Sequence, residues 1–294
     1  MKKIILSGLI ALTMTIASYA QEAKYGMMPF GKVQHPAVSE TYQAPAGIVE
    51  EILKKKFTDA KLQSTAKSSE SGFKVMKGVK WNEVAAQTID VYFRVEGSKD
   101  KLTSTVSIMT SLGNDNFFNN ESNPQEIQNT MNFLDGLIKE VNVAKALADI
   151  KPVEAALATA EKKVESLKKD GDKMMAEKRS TETKISDNVN EQGRMQSEVE
   201  NQERLLEIAK AQTGTVEQMS AIKKDISKQE DALEKVKKKL ATAVKDAEKY
   251  KYNVVKLEEK LKQNDTDIEK AKDEASKQRG LLQDMRSQYE ALKR

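Results

Sequence analysis

The sequence predicts an α+β head, with helix–strand–strand–strand–helix order around an antiparallel sheet, followed by a long antiparallel coiled-coil hairpin. Three observations predict this. Composition shifts near residue 145: charged residues number 30 of 125 in 21–145 but 62 of 149 in 146–294, and all seven Phe and the only Trp precede the shift. From Met219 onward, apolar residues recur at alternating steps of three and four. Between two such helical runs, Gln212–Gln218 carries stop and start signals for helices.

The chain opens on an export signal, residues 1–20. Lys2 and Lys3 precede an apolar run, Ile4–Ala17, and Ser18-Tyr19-Ala20 places small residues at −3 and −1 of a cleavage site. Cleavage between Ala20 and Gln21 is expected. The run is shorter than the roughly 20 residues of a membrane span, so a periplasmic or secreted protein is expected. Without Cys there is no lipid attachment site, disulfide or thiolate centre. Processing removes two Lys and leaves 47 basic against 45 acidic residues. That balance gives no support to a nucleic-acid partner.

Residues 21–44, with Gly26, Pro29, Gly31 and Pro36, read as an extended lead-in. The α+β domain is expected over 45–145. Pro45 opens a helix whose buried stripe is Ile48, Val49, Ile52, Leu53 and Phe57. A strand-like run surrounds Gly78 (Phe73, Val75, Val79, Trp81), with scope for an extra strand at 61–69. Alternation at Ile89, Val91, Phe93 and Val95, then at Leu102, Ser104, Val106 and Ile108, predicts a hairpin about the turn 97–101. Asn123-Pro124 opens a second helix with stripe Ile127, Met131, Leu134 and Ile138.

The coiled coil is assigned to 146–294. Its strong seam includes Met219, Ile222, Ile226, Leu233, Val236, Leu240, Val254, Leu257, Leu261, Ile268, Leu282 and Met285. Nineteen of 22 seam positions from Met219 to Leu292 are apolar, where about eight would follow from the chain's average composition. The preceding seam, Leu157–Ala209, keeps the period but is poor from Gly171 to Gln192. Reversal is expected at Thr213, Gly214 and Thr215. Gly214 suits a left-handed helix stop, and Thr215 with Gln218 suits a capping box. Facing residues whose numbers sum to 428 sets Ile185 against Ala243 and Leu257 against Gly171, and six of seven flanking charge pairs are then opposite in sign. An uninterrupted parallel dimer is the alternative, with four of its five charge pairs opposite in sign.

No catalytic, cofactor-binding or metal-ligating motif stands out. One His cannot form a His-rich metal site, and there is no phosphate loop or dinucleotide fingerprint. His35 reads as a surface residue. Asp90 and Glu96 border strands without a feature that selects them for acid–base work. Phe117 and Phe118, among Asn residues, are a candidate partner-binding tip, with core packing as the other reading.

The signal ending in Ala20-Gln21, the small α+β head and the Lys/Glu-rich coiled coil together resemble uncharacterised exported proteins of Bacteroidota. The signal and Lys-rich helical hairpin are also similar to the Skp-type periplasmic holdase chaperones. The expected function is that of a non-enzymatic interaction or structural protein of the cell envelope, with protein partners and scope for homo-oligomerisation. A Skp-like holdase is the first alternative, which the second resemblance implies. An envelope hydrolase or its regulator, acting through the head, is the second.

Overall fold

The computed structural model describes residues 22–62, 67–68, 71–114 and 116–294; the expected cleavage site at Ala20 and Gln21 lies outside them. Contacts divide the chain into two compact units, Met1–Pro152 with Gln283–Arg294, and Val153–Leu282.

The first unit is built on an antiparallel sheet in the order β1-β2-β6-β5-β4-β3. Its strands are β1 (Lys24–Phe30), β2 (Val33–Tyr42), β3 (Lys67–Ser68), β4 (Lys74–Lys80), β5 (Thr88–Gly97) and β6 (Ser104–Ser111). Helix α1 (Ala46–Asp59) follows β2, and α2 (Pro124–Ala211) follows β6. The expected β5–β6 hairpin is present, pairing Gly97 with Ser104. In β4 a register shift between Met76 and Val79 centres on Gly78, whose φ is +63°. The Gly78 N–H donates to Asp90 Oδ1 at 2.8 Å, which pins the bulge to β5.

The expected head order is incomplete, because the lead-in is a β-hairpin. β1 and β2 pair from Lys24↔Ser39 to Phe30↔Val33. Gly31, at φ +65°, takes the first place of the two-residue turn, the sign a type II′ turn asks for. Proline fits a ladder only where its missing donor faces no partner. With Phe30 and Val33 flanking the turn as a hydrogen-bonded pair, Pro29 falls at a non-bonded position, so its missing N–H lies on the outer edge of β1. By the same alternation Pro36 turns its missing donor toward β6, and the β2–β6 ladder runs only over Val38–Tyr42. The hairpin tip is thereby released from β6. It crosses the outer face of the sheet, where Gly31 N–H meets Ser71 Oγ at 2.6 Å.

Both faces of the sheet are consequently covered. One carries the main core, in which Val38, Val91, Phe93, Val106 and Ile108 pack against Val49, Leu53 and Phe57 of α1 and Ile127, Leu134 and Leu137 of α2. Trp81 lies edge-on to Phe57 (5.5 Å) and Phe133 (4.8 Å). The other face carries Ala37, Phe73, Met109 and Phe117 beneath Met28, Phe30 and Tyr92.

Helix α2 runs unbroken through Pro152. The domain boundary expected at 145/146 therefore falls inside a helix: a change of composition changes which face is wetted without ending the backbone ladder. Pro152 cannot donate to the carbonyl one turn earlier.

The second unit is an antiparallel pair formed by α2 from Val153 onward and α3 (Val216–Lys293) as far as Leu282. The seam positions from Leu157 to Ala209 and from Ile222 to Leu282 are all buried or half-buried, while Met219 is exposed. The register differs from the expected one by a heptad. Gln192, not Ile185, meets Ala243, donating from Nε2 to its carbonyl at 3.3 Å. Asn264, not Leu257, meets Gly171: a Cβ at Gly171 would lie 2.8 Å from Asn264 Nδ2. A shift of seven residues keeps the same faces together, so periodicity alone does not separate the two registers. Polar seam residues choose between them.

The reversal occupies 212–215. Gly214 does not have positive φ, contrary to the left-handed stop expected of it. A Cβ there would stand 2.7 Å from Gln218 Oε1, so that flexible side chain would have to give. That oxygen accepts the Thr215 N–H at 2.9 Å, the reach-back half of a capping box.

Candidate functional site

The sequence candidates separate into packing residues and residues of the turn. Phe117 and Phe118 are 6% and 1% exposed, so they do not form an exposed tip. Phe118 belongs to the main core. Phe117 packs under the hairpin tip, 4.2 Å from the His35 ring and 5.3 Å from Tyr92. The isolated bridge Ser111↔Phe117 and the Phe118 N–H bond to Thr110 (2.9 Å) hold this loop against β6, turning successive rings to opposite faces. His35, expected at the surface, is half-buried between Phe30 and Phe117. Asp90 serves the bulge, and Glu96 pairs with Arg94 at 2.8 Å while the Arg94 guanidinium caps the Phe73 ring at 4.6 Å.

The head's concentration of buried chemistry lies elsewhere, at Glu40. Alternation along β2 puts Val38, Glu40 and Tyr42 on the core face, and all three are at most 3% exposed. Neither Glu40 carboxylate oxygen makes a well-formed hydrogen bond, and the Thr41 N–H favours the charged form only weakly. Asp135 of α2 faces it and accepts the Ala23 N–H at 2.9 Å. Burial first, and the Asp135 charge second, push the Glu40 carboxyl up to about 7. Burial, then Glu40 and Asp135, likewise raise Tyr42, whose Oη donates to the Leu134 carbonyl at 2.8 Å. An extended lead-in over 21–44 assigns no inward and outward faces, so it does not mark Glu40 as an acid in phase with Val38 and Tyr42.

In the second unit, the poor seam stretch is polar but partnered. Lys178 reaches Glu258 at 2.8 Å, a contact that raises the lysine's pKa. Asn264 Nδ2 donates to the Leu167 carbonyl at 3.1 Å. A shallow groove lined by Glu161, Lys168, Lys272 and Arg279 is bridged by the Arg279–Glu161 ion pair at 2.7 Å. Near the reversal, Leu205, Ile208, Val216 and Met219 are exposed apolar residues, Val216 at 89%. Among the described residues no cluster of three or more His, Cys, Asp or Glu could hold a metal ion, and no helix is long and apolar enough to cross a membrane.

No family model, curated protein or solved structure matches this chain.

Proposed function

We propose that the protein is a non-enzymatic interaction or structural protein, exported to the periplasm or beyond the cell, in which the coiled-coil arm spaces or assembles the head among protein partners of the envelope. The observation that carries this reading is the arm itself. Its two seams keep their period from Leu157 to Ala209 and from Ile222 to Leu282, a length of regular packing that serves spacing and assembly. From 153 to 211 the helix extends about 90 Å at 1.5 Å per residue. In the head, the candidate carboxylates Asp90 and Glu96 serve the bulge and an ion pair.

The test is site-specific photo-crosslinking of the full chain in cells, with the reactive group at exposed Val33 of the head hairpin or exposed Val255 of the arm. The reading expects a defined envelope protein at one position or both. Absence of any protein adduct at either position, and at neighbouring exposed sites, would remove it. The holdase reading is favoured by one observation, the exposed Ile208 and Val216 near the reversal. It expects the purified protein to suppress aggregation of an unfolded outer-membrane protein, and fails if a stoichiometric excess has no effect.

A further inference from the structure

Glu40 is a 2% exposed acid whose oxygens lack a well-formed hydrogen bond and meet a second acid on another element, Asp135, while the Thr41 N–H favours the charged form with a smaller effect. The titratable and charged groups acting on it are Asp135 on α2, Lys24 on β1 and, on its own strand, Tyr42. Lys24 is exposed and its attraction is weaker than the Asp135 repulsion. Asp135 also holds Ala23 N–H at 2.9 Å, immediately before the edge strand β1.

We propose that Glu40 and Asp135 form a proton-operated latch that fastens the start of β1 to α2. With one proton between them, the Glu40 hydroxyl donates to Asp135 while Asp135 Oδ1 keeps the Ala23 amide. No covalent bond changes; the proton comes from solvent and returns to it. When it leaves, two negative charges share a site from which water is largely excluded. Relief comes most readily by parting the two elements. β1 yields first, because as an edge strand it is held by a ladder on one side only. Burial and the Asp135 charge place this event near neutral pH, the carboxyl being pushed up to about 7.

The test is a carbon-13 titration of the Glu side-chain carboxyls in the purified full chain, with hydrogen exchange of the Ala23 amide corrected for intrinsic rate. One Glu carboxyl should titrate near pH 7, and its signal should be absent in Glu40→Gln. Ala23 should open about tenfold more often at pH 8 than at pH 6. In Glu40→Gln, where the amide donates to Asp135 at every pH, Ala23 should be equally protected at both. Should that variant fail to fold, Asp135→Asn is read instead, with the Glu40 midpoint falling toward the ordinary carboxylate range. The latch is overturned if every Glu titrates as an ordinary carboxylate, or if Ala23 opening in the native chain is the same at pH 6 and pH 8.

Discussion

Head and arm each bury a polar side chain in an apolar contact, and they treat it in opposite ways. Asn264, 7% exposed in the arm, is given a carbonyl acceptor and a glycine-sized gap. Glu40, 2% exposed in the head, is given a second acid. The charged groups divide in the same way. Burial and Asp135 raise Glu40, whereas on the arm Lys169 and Lys238 hydrogen-bond Glu165 and Glu234 and lower them. Acidification therefore strengthens the contact at Glu40 and weakens the arm's helical ion pairs. In the arm, Asn264 and Lys178 are satisfied across the seam, while Gln202 Oε1 is buried without a partner. In the head, Trp81 Nε1 and Arg94 Nε are also buried without partners, but Glu40 alone of these is an acid set against a second acid.

The comparison breaks most visibly at the head core. Trp81→Ala should cost about 3–5 kcal/mol, seen as loss of the head tyrosines' near-ultraviolet signal in denaturant while the arm's helical signal persists. Next is pH. Because Glu40 is raised from 4.5 to about 7 in the folded protein, its stabilising contribution is complete below pH 4.5, declines as pH rises through 7 and is flat beyond. The total is about 3 kcal/mol. Denaturant midpoints from pH 4.5 to 8 should show this decline, and Glu40→Gln should remove it. In the arm, Gly171→Leu should cost about 1–3 kcal/mol by overpacking against Asn264. It should also exchange the crosslink of a Gln192→Cys, Ala243→Cys pair for that of an Ile185→Cys, Ala243→Cys pair, as the helices slide by a heptad. If the native arm already favours the Ile185 pair, the register described here is wrong. The smallest effect is expected at the reversal. Gly214→Ala displaces only the flexible Gln218 side chain, so a cost below about 1 kcal/mol is expected in thermal melts.

The arm was legible because burial in a two-helix pair follows one period: positions chosen by steps of three and four are the positions removed from water, from Leu157 to Ala209 and from Ile222 to Leu282. Its register was not, because Ala243 accepts either Ile185 or Gln192 on the same face. The difference lies in Asn264 finding the Leu167 carbonyl across the seam. In the head, β5, β6 and α1 followed from alternation and stripe. β1 and β2 were hidden by Pro29 and Pro36, residues that oppose strands unless their missing donors face no partner. Glu40 was lost with them. Phe117 and Phe118 could be read as a surface pair because their polar neighbours in sequence are not their neighbours in space.

Pro29 has a further consequence for the outer edge of the sheet. An outer strand ordinarily offers a row of amide donors on which an incoming extended peptide, or another copy's sheet, can continue the ladder. On β1 that row lacks the donor of Pro29, so a guest strand would meet a gap beside the hairpin turn. Backbone-templated addition, which is indifferent to sequence and feeds fibrillar growth, is disfavoured on this side. Any recognition at this edge would rest on side chains such as Tyr25 and Met27, both exposed on β1, and so on sequence.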